Sequence, residues 1–513
     1  MLLATPRLVR KSPNRRTPSN ASRTISSAQR SPTMSVARAT GQCESARLFC
    51  LAIFSSAGLP APTRRHRRFV RGPRARRTTS CILKLLFLHS NQFQFATTSG
   101  TRKPMTSSCS SGAAACGAGP CANRLSTARV ALLATCCAAS VANVYYAQPL
   151  LDAIARDFTV PAAAIGAVVT ATQLGCALAL LFVVPLGDRL NRKRLLAVQL
   201  VLLAAACVGV AAASTRIALL VGMVAVGLLG TAMTQGLIAC SAALAGAGER
   251  GRVVGAAQGG VVIGLLAARS VAGAVTDVAG WRAVYLVSGA LAIAMLVVLS
   301  RLLPDTDAPR ERIGYAALLR SMASLLRDER PLRVRGAIAL LMFAAFSIFW
   351  SALVLPLSAP PHAMSHTQIG AFGLVGALGA AAAARAGRLA DRGYGQATTG
   401  AALALLVASW LPLAFGQTSI ALLIVGIVLL DVGGQAVHVV NQSMILGVRP
   451  DAHARVVGCY MLFYSAGSGL GAIASTSMYA YAGWSGVCVL GATVSTAALV
   501  VWAATLERKR APA

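Results

Sequence analysis

The composition indicates a membrane protein before any motif is considered. The chain has 513 residues, of which 56% are apolar and only 12% are charged, and its mean hydropathy is +0.65. Soluble domains carry about 25% charged residues, so a chain this apolar cannot cover a globular surface with polar groups. The net charge of +33 would suit a nucleic-acid partner, but its distribution along the chain argues against one.

The first 104 residues differ in composition from the rest. They hold 20 Lys/Arg and a single acid, Glu44, and they are rich in Arg, Ser, Pro and Thr. They lack the foldable core and interleaved aromatic residues of a nucleic-acid-binding domain, and their apolar stretches are too short to span a bilayer. Two interpretations stay open: a transit-type segment, or a segment outside the natural protein, with translation starting at Met105. We expect residues 1–104 to form a disordered leader that insertion and transport do not require.

Twelve apolar runs beyond the leader are each long enough to cross a hydrocarbon core of about 30 Å as a helix. We number them spans 1 to 12 in chain order. They cover 127–151, 161–187, 195–214, 217–245, 253–276, 283–303, 336–358, 368–386, 398–416, 418–445, 456–480 and 484–505. The prediction is an all-α integral membrane protein with twelve transmembrane helices.

The positive charges predict the orientation of these spans. If the N-terminus is cytoplasmic, the inner loops, the tails and the inner ends of the spans in residues 105–513 hold 24 Lys/Arg, and the outer loops hold three, which are Arg156, Arg216 and Arg282. Cytoplasmic loops are enriched in Lys and Arg. We therefore expect both termini in the cytoplasm.

The two halves of this region are repeats. Three pairs of segments recur at a constant offset of 203 residues: Asp188-Arg189 with Asp391-Arg392, 251–255 with 454–458, and Gly280-Trp281 with Gly483-Trp484. The repeat predicts a six-helix bundle in 105–303, a cytoplasmic linker in 304–335 and a second six-helix bundle in 336–513. Repeated six-span halves are a known transporter architecture, with the substrate held where the halves meet.

The repeated loop also carries a family resemblance. Residues 387–392 read Gly-Arg-Leu-Ala-Asp-Arg, which resembles the loop motif of the major facilitator superfamily. The first copy departs from it at Val184 and at Asn191, where we expect Asn to keep the left-handed backbone of the usual Gly. Residues 143–151, 250–269 together with 280–282, and 430–442 resemble bacterial twelve-span efflux permeases grouped with drug:proton antiporters. Span 5, however, lacks the Pro of the antiporter signature.

Charged residues inside spans are the first candidates for function, because burying a charge in hydrocarbon costs about 2.5 kcal/mol or more. Asp431 in span 10 is predicted near the midplane, and His438 lies seven residues later on the same helical face. Arg269 in span 5 is a second buried charge. Three roles stay open: proton coupling through Asp431 and His438, a structural or gating pair of Asp431 with Arg269, and capture of an anionic substrate by Arg269.

Uncharged polar residues and the repeated loop complete the candidate sites. The predicted substrate cavity is lined by Tyr145, Tyr146, Gln148, Gln173, Gln235, Gln258, Gln435, Asn441 and Gln442. By resemblance, a cytoplasmic gate is formed by Asp188, Arg189, Arg192, Asp391 and Arg392, with a topology signal as the alternative. Glycines crowd spans 5, 8 and 11, which predicts close helix packing where the halves slide.

These patterns predict a transporter and not an enzyme, with no cofactor, metal site or disulfide framework. The resemblance implies a monomer in a bacterial inner membrane that moves a small organic molecule by alternating access, with proton-coupled efflux as the leading interpretation. A passive or substrate-gradient carrier is the alternative, followed by a non-transporting membrane sensor. The lipid bilayer, a small-molecule substrate and protons are the expected partners; nucleic acid is not.

Overall fold

The computed structural model describes residues 125–188, 190–246, 248–303, 314–449 and 452–506. Within these ranges all regular secondary structure is helical. The predictions for residues 1–104 lie outside the described residues. The side chain of Asp188 is also not described.

Ten helices of the described region are long and apolar enough to cross a membrane. They are Thr127–Tyr145, Ala162–Gly187, Arg192–Ala211, Arg216–Leu244, Arg250–Ala279, Trp281–Leu302, Arg330–Ser358, His366–Ala414, Ile420–Leu446 and His453–Thr505. Two of them contain two spans each. The backbone breaks at Gly393 (φ 89°) between spans 8 and 9, and at Ala482 and Gly483 (φ 63°) between spans 11 and 12. The twelve predicted crossings are thus confirmed.

One repeat-related pair of glycines shows how closely the helices pack inside each half. A Cβ added to Gly264 in span 5 would lie 2.3 Å from the carbonyl oxygen of Ala138 in span 1. A Cβ added to Gly467 in span 11 would lie 2.1 Å from the carbonyl oxygen of Leu340 in span 7. Gly264 and Gly467 are 203 residues apart. The predicted close packing is confirmed, but these two glycines act within a bundle and not where the halves meet.

Spans 3, 6, 9 and 12 present apolar side chains to the outside of the protein. Their exposed residues include Val198, Val201, Leu202, Leu286, Val287, Ile293, Leu411, Val489 and Val500. Gln199 in span 3 is buried. These spans therefore suit contact with lipid tails.

A linker helix, Tyr315–Asp328, packs at one end of the molecule through Leu318, Met322 and Leu325. The Tyr315 hydroxyl donates to the carbonyl of Phe182, 2.8 Å away at the end of span 2. We call this end, which also holds the loop between spans 2 and 3, the linker end. The opposite end, with residues 152–160, 277–281 and 359–366, is the distal end.

Asn191 begins span 3 in a way that differs from the prediction. Its φ is −59°, and its side chain accepts a hydrogen bond from the backbone N–H of Arg194. Asn191 is therefore a helix N-cap and not a left-handed turn residue, so the expectation of a left-handed backbone was wrong. An Asn side chain suits this position because it satisfies an N–H that the first helical turn leaves free.

Candidate functional site

Two charged side chains lie inside the helical bundle at similar depth. Arg269 in span 5 is 3% exposed and Asp431 in span 10 is 2% exposed. Arg269 lies ten residues before the distal end of its helix at Ala279, and Asp431 lies eleven residues after the start of its helix at Ile420. At 1.5 Å per residue both are roughly 15 Å from the distal end. Among the described side chains these two do not form an ion pair with each other.

Neutral groups surround the Arg269 guanidinium instead. Its Nε donates to Gln148 Oε1 at 2.8 Å. Gln148 is placed by a 3₁₀ turn over Gln148–Leu150, with Pro149 at its start, where a residue without an N–H fits well. The guanidinium carbon lies 4.0 Å from the ring centre of Trp350 and 5.4 Å from that of Tyr145. Nη2 of Arg269 has no hydrogen-bond partner among the described residues.

A small cavity of about 10 Å³ adjoins this arginine. Its walls are Gln148, Pro149, Arg269, Trp350, Leu353, Val354 and Ile369. That volume is about the minimum for one water molecule. The space beside Arg269 is therefore nearly closed in this conformation.

Span 8 lies against both charged residues, and its glycines make this possible. A Cβ added to Gly370 would lie 2.3 Å from the carbonyl oxygen of Arg269. A Cβ added to Gly376 would lie 2.6 Å from Asp431 Oδ2, and one added to Gly379 would lie 2.9 Å from Asp431 Cβ. Span 8 thus links span 5 of the first half to span 10 of the second. The close packing predicted for glycines where the halves meet is confirmed at this contact.

Trp350 of span 7 lies between the two charges. One face of its indole covers the Arg269 guanidinium. Its N–H faces Asp431 without making a hydrogen bond of normal geometry, so Trp350 Nε1 and Asp431 Oδ1 both lack a partner among the described residues. Unpaired buried polar atoms cost about 1–3 kcal/mol each. Trp350 and Asp431 are therefore candidates for a site that takes different partners in another conformation.

We expect Trp350→Leu to reduce transport about tenfold or more, since it removes a cation–π contact that is worth about 2 kcal/mol when desolvated. Trp350→Phe keeps an aromatic face over Arg269 and removes only the N–H, so it should retain most activity. Initial transport rates in vesicles, normalised to the amount of inserted protein, provide the measurement. Equal losses in both variants would mean that the indole N–H matters more than the aromatic face.

His438 is not in contact with Asp431. Its Nδ1 lies 3.2 Å from the hydroxyl of Tyr460, and its ring stacks on that of Tyr460. Phe343 packs edge-on against His438. The structure therefore places His438 in an aromatic cluster toward the linker end, and a direct Asp431–His438 proton relay would require rearrangement of span 10.

The remaining predicted cavity residues are dispersed. Tyr145 contacts Tyr464 of the second half through their hydroxyls, while Tyr146 is buried in the core of the first half. Gln173 is buried with an unpartnered Oε1, next to Gly469. The others differ in exposure: Gln235, Gln435 and Gln442 are half-buried and Gln258 is exposed. Of the nine predicted cavity residues, only Gln148 and Tyr145 contact Arg269 in the described interactions.

Asn441 has a partner that the sequence analysis did not single out. Arg335, assigned from sequence to the linker, lies inside the helix of span 7 and is 5% exposed. Its Nη1 is 3.3 Å from Asn441 Oδ1 and 3.2 Å from the hydroxyl of Thr399. Arg335 is a third buried charge. The apolar run begins at 336, so only the helical periodicity that continues upstream to Arg330 could have revealed it.

The structure describes the side chains of three of the five predicted gate residues. Asp391 and Arg392 are exposed at the linker end, and Arg192 is half-buried in the first turn of span 3. Arg189 lies outside the described residues, as does the side chain of Asp188. Among the described interactions, neither Asp391 nor Arg392 contacts the first half.

The distal end is closed by polar contacts between the halves. Thr170 donates to the carbonyl of Gly469 at 2.7 Å, and Ser270 donates to that of Gly370 at 2.9 Å. Closer to the surface, the Ser477 hydroxyl donates to the carbonyl of Ala163 at 3.1 Å. His366 also bridges the halves there. These contacts exclude access to Arg269 from the distal side in this conformation.

Comparison with known proteins places this architecture in a family. The sequence model of the family described as Major Facilitator Superfamily matches residues 130–398 and 336–513 of this chain. The chain belongs to this superfamily and is a multi-pass membrane transporter of that type.

Individual relatives carry the names of transporters. The chain is 41% identical over 396 residues to "Uncharacterized transporter YgaY" of Escherichia coli O157:H7, covering 76% of this chain and 98% of the relative. It is 32% identical over 380 residues to "Probable transporter SCO4007" of Streptomyces coelicolor, covering 74% of this chain and 86% of the relative. Among solved structures, an inward-facing, occupied bacterial homologue of the human lysosomal transporter Spinster gives a TM-score of 0.60 at 16% identity. The match covers 75% of this chain and 99% of that one.

Proposed function

We propose that this protein is a secondary active transporter that exports a small organic molecule from the cytoplasm in exchange for protons. The observation that carries the proposal is the pair of buried charges, Arg269 and Asp431, which lie at one depth beside Trp350 without an ion pair between them. Buried ionisable groups in membrane proteins are costly and mark ion or substrate pathways.

The charges suggest how a proton could be coupled to a conformational change. When Asp431 is ionised, it attracts Arg269 across span 8; when it is protonated, that attraction is lost. Only an interaction that differs between two conformations can shift their equilibrium. A proton at Asp431 would therefore change the balance between the two conformations. Arg269 would keep its hydrogen bond to Gln148 and its contacts with the rings of Trp350 and Tyr145.

The orientation belongs to the proposal as well. The excess of Lys and Arg in the predicted inner loops favours a cytoplasmic linker end and a periplasmic distal end in a bacterial inner membrane. With the distal end closed, substrate would reach Arg269 from the cytoplasm once the helices separate at the linker end. The exposed Asp391 and Arg392, with their repeat partners Asp188 and Arg189, would act as the cytoplasmic gate and pair across the halves only when that side shuts.

A carrier without proton coupling is the second candidate. It is supported by the absence of Pro from span 5 and by the neutral partners of Arg269, which hold this charge without Asp431. Such a carrier would equilibrate its substrate and would not concentrate it.

Everted membrane vesicles distinguish the two functions. Respiration acidifies their lumen, and a panel of labelled organic compounds is tested for accumulation with and without a protonophore. A proton-coupled exporter concentrates at least one compound, and the protonophore abolishes that accumulation. Uptake that stops at equal concentrations inside and outside, with or without the protonophore, supports the uncoupled carrier.

A further inference from the structure

His366 lies between two carboxylates that belong to the other half of the protein. It is the first residue of the helix that contains span 8. Its Nε2 is 3.0 Å from Asp152 Oδ1, after span 1, and its Nδ1 is 3.0 Å from Asp277 Oδ1, near the end of span 5. All three side chains are partly or largely buried at the distal end. One imidazole thus connects both halves on the face that is closed.

The hydrogen bonds determine the charge of this imidazole. Asp277 accepts the backbone N–H groups of His366 and Thr367, at 3.0 and 2.8 Å, so both of its oxygens act as acceptors. Asp152 forms an ion pair with Arg156 at 3.1 Å. A neutral imidazole has one donor and one acceptor nitrogen, whereas two ionised carboxylates require a donor on each nitrogen. His366 is therefore doubly protonated in the closed conformation.

The electrostatics of Asp152 agree with this assignment. Asp152 lies between spans 1 and 2. Burial raises the pKa of its carboxyl, but the hydrogen bond from His366 and the charges of His366 and Arg156 outweigh burial, so that the pKa is lowered. The ionised form of Asp152 is thus favoured while His366 is in place.

We propose that His366, Asp152 and Asp277 form a proton-binding latch, which holds the distal face of the two halves closed when the imidazole is protonated. Opening the distal face moves span 8 away from the two carboxylates and returns His366 to water, where its ordinary pKa is about 6.5. Above about pH 6.5 the closed state then binds up to one proton more than the open state. This latch is separate from coupling at Asp431 and does not depend on the proposed direction of transport.

Other ionisable groups on the elements near His366 have partners of their own. Asp157 is paired with Arg282, and its carboxylate also accepts the indole N–H of Trp281. His362, in the loop before span 8, contacts the carbonyl of Gln417 at 2.7 Å, inside its own half.

Two charged residues lie deeper in the spans that pack against span 8: Arg269 of span 5 and Asp431 of span 10. Arg269 lies eight residues from Asp277, which is about 12 Å along the helix. Asp431 must be neutralised by mutation in any test, because its own titration could alter the conformation. The short helix Val354–Ser358 and the turn Gln148–Leu150, which also neighbour span 8, contain no ionisable side chain.

A distance measurement across the distal face tests the latch. Val278 and Tyr481 are repeat-related, are each 89% exposed, and lie at the distal ends of spans 5 and 11. Spin labels are attached to Val278→Cys and Tyr481→Cys in the full chain, with the thirteen native cysteines replaced and with Asp431→Asn. Electron–electron distance distributions are recorded in nanodiscs from pH 5 to pH 9.

We expect the ratio of closed to open molecules to be constant below about pH 6.5 and to fall by up to tenfold per pH unit above it, as linkage to one proton requires. His366→Gln should remove this slope. His366→Lys keeps a permanent positive charge, so the ratio of closed to open molecules should stay high at every pH. His362→Gln, the matched control, should follow the parent curve. Circular dichroism and gel filtration establish that each variant is folded.

Two results would overturn the proposal. One is a parent protein whose distance distribution does not change with pH. The other is a folded His366→Gln variant that keeps the parent slope, which would assign the proton to another group. Since Asp431 is absent from every variant, neither result bears on proton coupling at that residue.

Discussion

Asp431→Asn is expected to abolish uphill export while sparing exchange. Asn has nearly the same shape as Asp and can still accept a hydrogen bond, but it cannot titrate. In everted vesicles with an acidic lumen, the accumulation ratio of a transported compound should therefore fall to about 1. Exchange of labelled for unlabelled compound at equal concentrations needs no net proton movement and should keep a rate within about threefold of the parent, which corresponds to less than about 1 kcal/mol.

The matched control for this prediction is Asp328→Asn, which makes the same chemical change at an exposed position in the linker helix. It should concentrate substrate like the parent. If Asp431→Asn still accumulates substrate against its gradient, the coupling proton binds elsewhere. If exchange is lost together with accumulation, Asp431 acts as a substrate ligand or as part of the packing.

Gly227→Val is expected to destabilise the first half strongly. A Cβ on Gly227 in span 4 would lie 2.0 Å from the carbonyl oxygen of Thr172 in span 2, and one on Gly175 would lie equally close to the carbonyl of Val224. The two helices cross on these glycines, so a valine must push two backbones apart. Overpacking of this kind costs about 3 kcal/mol, which at 2–4 °C per kcal/mol lowers the unfolding temperature by roughly 6–12 °C.

Gly209→Val is the matched control for this stability prediction. Gly209 lies in span 3 and has no heavy atom within 4 Å of an added Cβ. Thermal unfolding of both purified variants in the same detergent provides the comparison. A Gly227→Val protein as stable as the control would mean that spans 2 and 4 can separate at little cost.

The fold could be predicted from the sequence because the bilayer imposes a simple rule. Each crossing needs an unbroken apolar run, and the offset of 203 residues showed that the halves are repeats. Arg335 shows where this rule fails. A helix can continue beyond its apolar run when a charged residue at its end has buried partners in other helices, and Thr399 and Asn441 are 64 and 106 residues away in the chain.

The candidate site was predictable in part. Arg269, Asp431 and Gln148 stood out because polar groups are costly in a span, and the structure places all three in the interior. The role of Trp350 could not be inferred, since an aromatic residue in an apolar run is unremarkable until its neighbours are known. His366 was missed for a similar reason: it precedes the apolar run of span 8, and its two carboxylate partners are 214 and 89 residues away.

The carboxylate of Asp277 has a consequence for the start of span 8. It accepts the first backbone N–H groups of a helix that belongs to the other half, while Ser365 supplies the local cap by accepting the N–H of Gln368. The first turn of span 8 is therefore stabilised jointly by its own half and by the opposite half. On the proposal that the distal face opens during transport, two helical N–H groups would lose their acceptor and become hydrated, so each opening would partly uncap a helix.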